Sequence, residues 1–318
     1  MFRKRPKLII GVFTILTLFI GLEIYLHLAG FGSYPIYLLD SQIKYIPASN
    51  QSGVFLNRNH WFFNDRHMGN SDNWTPDKHP DVLLLGNSIV LGGNPYDHNE
   101  KLGPLLQIEL GDKYSVWSAA AGGWTNINEM AYLDQNKDVA QNADIVVIEY
   151  MEGGLSIASP WPGYYVFPDH RPLLLSMYII EKYALPSLKS RIPVNESGTL
   201  PHVGEIDLTQ LERFTNLLTA LLKTSKVIIF FYPTKSELAN INAWETTIEP
   251  VLQICKLLPL TCVDVAGEQS WSASMYRDDD GVHPTVEGNR HLAGIIASAI
   301  ANGMTFSGMT QSEDIRMR

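Results

Sequence analysis

Five short apolar runs, separated by longer helical patterns, constrain the fold of this chain more than any other feature. The runs cover residues 82–85, 114–117, 145–148, 227–232 and 261–265. Apolar runs that alternate with helical stretches are typical of a parallel sheet covered by helices on both faces. The sequence therefore predicts an α/β sandwich of three layers around a central parallel five-stranded sheet. In such a fold, a site is expected at the carboxyl ends of the strands.

The helical stretches between the runs show apolar residues at three- and four-residue steps, as one buried helix face requires. The clearest series is Leu211, Phe214, Leu217, Leu218, Leu221 and Leu222. Residues 236–258 form a second predicted helix. A last helix is predicted after Pro284, whose fixed φ suits a first helical turn.

The N-terminal apolar run, from Leu8 to Leu26, is long enough to cross the hydrocarbon core of a membrane, which takes about 20 helical residues. A basic cluster of Arg3, Lys4, Arg5 and Lys7 precedes it, which predicts a cytoplasmic N-terminus and an exported body. The expected location is the inner membrane, with the main domain in the periplasm. A cleaved signal peptide is the alternative, although no A-x-A cleavage pattern follows the run.

These patterns divide the chain into a membrane anchor (1–30), an irregular lead-in segment (31–79), a main domain (80–303) and a tail (304–318). Within the main domain, the proline-rich stretch 151–205 interrupts the alternation and is predicted to be an insertion over one edge.

Charge and cysteine content limit the classes of partner. The net charge is −9 and the basic residues are scattered, so nucleic acid is not an expected partner. Cys255 and Cys262 would lie in an oxidising compartment if the domain is exported, where they would form either a disulfide or a pair of buried thiols. The histidines lack the spacing of metal ligands, so no metal is expected.

Two motifs carry the chemistry. Ser88 follows a strand and a glycine, in Gly86-Asn87-Ser88, where a sharp turn would lift its hydroxyl above the sheet edge. Asp280 and His283 lie on one turn just before the last helix. A serine hydroxyl needs a base to become a nucleophile, and an imidazole held by a carboxylate is such a base at neutral pH. The hypothesis is a serine nucleophile activated by this pair.

Both motifs resemble the first and last blocks of the SGNH (GDSL-like) hydrolases, over about residues 81–302. The resemblance implies a flavodoxin-like fold and hydrolysis of acyl esters, commonly acetyl groups on sugars. It also implies an oxyanion hole formed by the backbone N–H groups of Ser88 and Gly123. The family's Gly-x-Asn-Asp block is missing after residues 145–149, and Asn126 or Asn128 would either replace its amide or only cap and turn the chain.

Further side chains are candidates for lining the substrate, namely Asn87, Trp124 and Asn126. Trp161, Tyr164 and Tyr165 are other aromatic residues that could stack on sugars, although most aromatics serve packing. Glu149 and Glu152 form a carboxylate pair, but their spacing favours strand-end polar residues over the catalytic pair of a glycosidase.

The sequence thus predicts a membrane-anchored serine esterase that needs no cofactor and acts on an acylated carbohydrate or a small ester. The alternatives are an O-acetyltransferase on envelope polysaccharide, which would use the same residues, and a non-catalytic binding subunit of polysaccharide machinery. The missing amide block is the observation that supports the last of these.

Overall fold

The computed structural model describes residues 6–76, 79–184 and 206–302. It begins with helix α1 (Pro6–Leu28), of which Ile10–Leu28 is long and apolar enough to cross a membrane. Most apolar side chains along this helix project away from the rest of the chain, as those of Phe13 and Leu18 do. The basic residues Arg3, Lys4 and Arg5 lie outside the described residues.

The lead-in segment that follows forms two antiparallel hairpins. The first joins β1 (Tyr37–Asp40) to β2 (Lys44–Pro47), and the second joins β3 (Gln51–Phe55) to β4 (Asn59–Phe63). The expectation of an irregular segment was therefore wrong for these residues. Strands of four or five residues that carry polar side chains give little periodicity, and these hairpins are stabilised by burial of side chains such as Tyr45 against the main domain.

The five predicted apolar runs form one parallel sheet with the strand order β6-β5-β7-β8-β9. Its strands are β5 (Asp81–Gly86), β6 (Ser115–Ala120), β7 (Ile145–Tyr150), β8 (Lys226–Phe231) and β9 (Thr261–Asp264). The order reverses beside β5, so the carboxyl end of β5 lies at the point where a doubly wound sheet opens a crevice.

Helices cover both faces of the sheet, which confirms the three-layer α/β prediction. One face carries α2 (Ser88–Leu91), α3 (Leu102–Leu110) and the last helix, α10 (Val286–Asn302). The other face carries α4 (Asn126–Gln135), α5 (Lys137–Asn142), α7 (Leu208–Leu221) and α9 (Ile241–Leu257). The predicted helix 236–258 is divided into α8 (Lys235–Leu238) and α9, because Asn240 leaves helical geometry.

The described part of the predicted insertion, residues 151–184, packs against the anchor. Its helix α6 (Leu175–Ile179) places Leu175 and Tyr178 against Leu26 and Tyr34 in a separate apolar cluster. The carboxylate of Glu23, in α1, accepts the N–H groups of Leu175 and Ser176, so it caps α6. Residues 185–205 of the insertion and the tail 304–318 lie outside the described residues.

Cys255, near the end of α9, and Cys262, in β9, form a disulfide. Of the two states that the sequence leaves open, the structure therefore has the bonded one. The bond joins a helix end to the edge strand of the sheet.

Candidate active site

Ser88 is the first residue of α2 and lies two positions after Gly86, the last residue of β5. A Cβ at Gly86 would lie 2.2 Å from the Glu149 Oε2 atom and 2.4 Å from Val90, so the turn requires glycine there. The Asn87 side chain caps the helix, because its Oδ1 atom accepts the Ile89 N–H at 2.9 Å. The Ser88 hydroxyl is thereby held, half-exposed, at the sheet edge.

The structure brings Ser88, His283 and Asp280 together across 195 residues of sequence. The His283 Nε2 atom lies 2.9 Å from the Ser88 Oγ atom, and the Nδ1 atom lies 2.8 Å from the Asp280 Oδ2 atom. Both distances allow hydrogen bonds, so the imidazole can accept the Ser88 proton while Nδ1–H donates to Asp280. This is the geometry of a nucleophile, its base and the group that orients the base.

The Asp280 carboxylate is fixed by its own loop. Its Oδ1 atom accepts the N–H groups of Val282 and His283, each at 2.9 Å. Partial burial acts to raise the pKa of Asp280, but these two backbone bonds and the bond from the His283 ring outweigh that effect, so the pKa is lowered. Asp280 is therefore a carboxylate at neutral pH, as its partner ring requires.

The loop that carries Asp280 and His283 is tied to the sheet and to the region after α2. The Arg277 N–H donates to the His283 carbonyl at 2.8 Å, and the Tyr232 hydroxyl donates to the Val282 carbonyl at 2.8 Å. The Tyr96 hydroxyl donates to the carbonyl of Pro284 at 2.5 Å. Tyr232 directly follows β8, Tyr96 lies between α2 and α3, and Arg277 belongs to the same loop as His283, so these bonds hold the imidazole above the strand ends.

Gly123 lies in the loop between β6 and α4, with a φ of 75° that favours glycine. Its N–H makes no hydrogen bond to any residue that the structure describes. The preceding carbonyl, that of Gly122, accepts the buried Tyr45 hydroxyl at 2.7 Å. Because a trans peptide directs its C=O and N–H oppositely, Tyr45 fixes the direction in which the Gly123 N–H points.

Sequence reasoning missed Tyr45. It belongs to β2 in the lead-in hairpins, 77 residues before the peptide that it contacts. An aromatic residue with an adjacent isoleucine in a short polar strand gives no local sign of such a contact. Only the packing of the first hairpin on the β6–α4 loop reveals it.

Three residues that were expected to line the site or replace the missing amide are buried and already bonded. Both Asn126 and Asn128 are almost fully buried. The Asn126 amide donates to the Glu129 carboxyl and to the Glu149 carbonyl. The Asn128 amide donates to the carbonyls of Ile43 and Ser159. Trp124 is also buried, with its Nε1–H donating to the Tyr45 carbonyl at 2.8 Å. The structure therefore does not present these three side chains to a substrate.

Asn87 is placed differently. Its side chain is half-exposed beside Ser88, and its amide nitrogen contacts the Met151 sulfur at 3.1 Å. A thioether is a weak acceptor, and an amide carries two N–H donors. One of these N–H groups faces the Met151 sulfur beside Ser88, and the Asn87 side chain also hydrogen-bonds the buried Glu149 carboxyl. Met151 lies in the segment where the resemblance predicts an asparagine.

The Glu149 side chain lies beneath the turn between β5 and α2 that carries Ser88, which we call the nucleophile turn. Its Oε2 atom accepts the Asn87 N–H at 2.9 Å, and the side chain is fully buried. Burial raises the pKa of Glu149 to about 8, against the lowering effect of the Asn87 hydrogen bond. Burial, together with the nearby Glu149, also raises the pKa of Glu129 well above its usual value. The Glu149 carboxyl is therefore largely neutral at pH 7.

Glu149 and Glu152 do not form the catalytic pair of a glycosidase. Glu149 is enclosed beneath the β5–α2 turn, whereas Glu152 interacts with Glu237 of α8. Their different surroundings agree with strand-end polar residues.

The aromatic residues of the insertion pack on one another. The Trp161 Nε1–H donates to the Phe167 carbonyl, and Tyr164 stacks on His170 with ring centroids 4.4 Å apart. Tyr165 bonds to Glu181 through its hydroxyl. Within residues 6–76, 79–184 and 206–302, no group of three or more His, Cys, Asp or Glu side chains is arranged to hold a metal ion.

Comparison with known proteins gives matches at the level of structure. No protein-family model matches the chain, and no curated protein matches it. Among solved structures, TesA is 15% identical, with a TM-score of 0.42, over 70% of this chain and 98% of TesA. A carbohydrate acetylesterase family member from Sinorhizobium meliloti is 12% identical, with a TM-score of 0.38, over 70% of this chain and 97% of that one.

A catalytic variant of Axe2, an acetylxylan esterase from Geobacillus stearothermophilus, is 16% identical, with a TM-score of 0.41, over 73% of this chain and 97% of Axe2. Each of these three matches spans nearly the whole length of the known protein. At these identities and TM-scores the likeness carries no functional conclusion, which rests on the geometry of the site.

Proposed function

We propose that this chain is a membrane-anchored, extracytoplasmic serine esterase of the SGNH type, which removes acyl groups, chiefly acetyl groups, from carbohydrate. The observation that carries the proposal is the hydrogen-bonded series from Ser88 through His283 to Asp280, with distances of 2.9 and 2.8 Å. A binding subunit has no need for a serine, a base and an orienting carboxylate in this arrangement.

In the proposed mechanism, the Ser88 oxygen attacks the ester carbonyl while its proton passes to the His283 Nε2 atom. Asp280 keeps the ring in the tautomer that accepts this proton and stabilises the imidazolium that results. The protonated ring then gives its proton to the leaving alcohol oxygen. Water, activated by the same imidazole, hydrolyses the acyl-enzyme and regenerates Ser88.

The oxyanion of the tetrahedral intermediate would be held by the backbone N–H groups of Ser88 and Gly123 and by the Asn87 amide. The first residue of a helix has an N–H without an intrahelical acceptor, and the Gly123 N–H is likewise not taken by any described residue. One N–H of the Asn87 amide faces the Met151 sulfur, a weak acceptor that an oxyanion would replace. We assign to Asn87 the part that the missing Gly-x-Asn-Asp block would otherwise perform.

Anchoring is supported by α1, whose apolar side chains are exposed along a length that suits a bilayer. Export of the domain is supported by the Cys255–Cys262 disulfide, since such bonds persist in oxidising compartments. The basic N-terminal residues of the sequence favour the inner membrane with the domain in the periplasm. The division into anchor, lead-in, main domain and tail remains a prediction on the same basis.

The test uses the full chain in detergent with p-nitrophenyl acetate, with and without an oligosaccharide acceptor. We expect release of p-nitrophenol that falls by about 10⁴-fold or more in Ser88→Ala and in His283→Ala. Activity that survives both substitutions would contradict the mechanism. Acetylated oligosaccharide among the products would identify a transferase, and an inactive parent protein that binds oligosaccharide would identify a binding subunit.

A further inference from the structure

A cavity of about 400 Å³ lies between the lead-in hairpins, the connection after α2 and the described part of the insertion. Its walls are largely aromatic and apolar, with contributions from Phe31, Tyr37, Trp61, Phe63, Phe167 and Tyr178. The residues of the proposed catalytic machinery do not line it. Its volume is at the lower end of the range of small-molecule sites, 300 to 1,000 Å³ as a rough guide.

One charged side chain lines this apolar cavity without a direct partner. Lys101 is only 9% exposed, and its ammonium makes no hydrogen bond or ion pair to any described residue. The opposite charge that acts on this ammonium is that of Asp97, whose carboxylate is hydrogen-bonded to the backbone N–H and the ring of His60 instead. A charge on a side chain that is largely withdrawn from water would be stabilised by an anionic group at this place.

Lys101 is a cation at neutral pH in spite of its burial. Burial lowers the pKa of its ammonium to about 8, and the charge of Asp97 acts against that effect. A bound carboxylate would supply a counter-ion inside the cavity.

The cavity also lies beside the end of the candidate membrane span. Phe31, three residues after the last residue of α1, lines the cavity and packs on the cluster formed by Leu26, Leu175 and Tyr178. Around α6, apolar side chains are exposed to solvent, among them Leu173, Met177 and Ile180. Exposed apolar side chains next to a membrane-spanning helix favour a position at the bilayer surface.

From these observations we infer that the cavity binds a long-chain fatty acid, with its carboxylate on Lys101 and its hydrocarbon chain against the aromatic walls. The volume suits a single hydrocarbon chain. Because Lys101 is buried, its ammonium can pair only with a head group that enters the cavity. A diacyl phospholipid would keep its head group outside, beyond the reach of this lysine. The inference does not depend on the proposed esterase activity.

The test places the full chain in phosphatidylcholine nanodiscs and adds a palmitate analogue that carries a photoreactive diazirine in its chain. All variants contain Ser88→Ala, so no acyl-enzyme contributes to labelling. We expect saturable labelling of peptides that line the cavity, competed by palmitate at least about 10-fold better than by 1-hexadecanol, which has the same chain without the charge. Lys101→Met should weaken labelling by about 10-fold or more, whereas Lys113→Met, on the exposed turn after α3, should not.

Several results would overturn the inference. Equal competition by palmitate and 1-hexadecanol on the parent chain would do so without any cavity variant, even if Lys101→Met fails to fold. Labelling outside the cavity or without saturation would have the same consequence. Displacement of the probe by phosphatidylglycerol in the nanodisc, with no effect of palmitate, would identify a phospholipid as the occupant and contradict the assignment.

Discussion

The two sides of the proposed active site are built in different ways. On the proton-transfer side, Asp280 and His283 share one partly exposed loop, and the Asp280 carboxylate is fixed by N–H groups two and three residues away. On the oxyanion side, the Gly122–Gly123 peptide is fixed by Tyr45, which comes from a hairpin outside the sheet. The Asp280 carboxylate is thus fixed by bonds within its own loop, and the oxyanion donor by a bond from a distant hairpin.

The two halves of the chemistry therefore depend on different contacts. The imidazole should be sensitive to substitutions within its loop, whereas the oxyanion donors should be sensitive to substitutions in the lead-in segment and beneath the nucleophile turn. Removing the base's orienting group affects every proton transfer, while a displaced donor weakens one of several interactions with the oxyanion.

The largest effect is expected on the proton-transfer side. Asp280→Asn would replace the acceptor of the His283 Nδ1–H bond by an amide that can favour the wrong tautomer, so we expect kcat for p-nitrophenyl acetate to fall by about 10⁴-fold. The matched control is Asp278→Asn, an exposed carboxylate of the same loop, which should retain parental kcat. If kcat of Asp280→Asn stays within about 10-fold of the parental value, Asp280 does not have the proposed role of orienting the base.

The next effect concerns Asn87. Asn87→Asp keeps an oxygen to cap α2 but removes the amide donor and adds negative charge beside the developing oxyanion. We expect kcat to fall by about 10²–10³-fold with little change in KM, the usual consequence of losing one oxyanion donor. Unchanged or higher activity would contradict the assignment of Asn87 as a donor.

A smaller effect is expected at Tyr45. Tyr45→Phe removes the hydroxyl that holds the Gly122 carbonyl, so we expect kcat to fall by about 10-fold as the Gly123 N–H loses its fixed direction. The free energy of unfolding should fall by about 1 kcal/mol. Both quantities are measured on the full chain in detergent.

Tyr132→Phe is the matched control for Tyr45→Phe. Its hydroxyl also joins the main domain to the lead-in segment, by donating to the Arg66 carbonyl at 3.0 Å, and the side chain is equally buried. A similar loss of stability with parental kcat separates positioning from packing. Equal losses of kcat in both variants would remove the special role of Tyr45.

The last effect is on stability rather than on turnover, and it involves Glu149. Its pKa in the folded chain, about 8, is higher than the value for an unfolded chain, so the folded state binds the extra proton between these values. The resulting stabilisation is full below the unfolded pKa, about 4.3, and is lost as the pH rises through about 8. We expect Glu149→Gln to flatten the fall in unfolding free energy over this range by up to about 1.4 kcal/mol per pH unit.

Denaturant unfolding of the parent and of Glu149→Gln at several pH values measures this slope. Glu109→Gln, on the exposed side of α3, is the control and should keep the parental slope. A parental slope in Glu149→Gln as well would show that the carboxyl beneath the nucleophile turn is ionised at neutral pH.

The sheet could be predicted, and Asp280 and His283 could be proposed as a pair, because both patterns are local. Buried parallel strands are apolar runs, and the Asp280–His283 pair lies on one turn, so pattern and spacing contain the information. Ser88 could be expected near this pair because the carboxyl ends of parallel strands meet at one edge of the sheet.

The oxyanion side and the hairpins could not be predicted in the same way. The strands around Tyr45 are short and mixed in polarity, and their stability comes from packing on the main domain. The amides of Asn126 and Asn128 have the residue type of an oxyanion donor, but burial and hydrogen bonds commit them elsewhere. Residue type and sequence distance do not record such long-range bonds.

The most direct test of the central claim, that His283 activates Ser88 in the folded chain, is reaction of the full-length protein with a fluorophosphonate. We expect one adduct per chain, located on Ser88 by mass spectrometry, and its loss in His283→Ala. An unmodified parent chain under conditions that label known serine hydrolases, or an adduct of equal yield in His283→Ala, would contradict this role of His283.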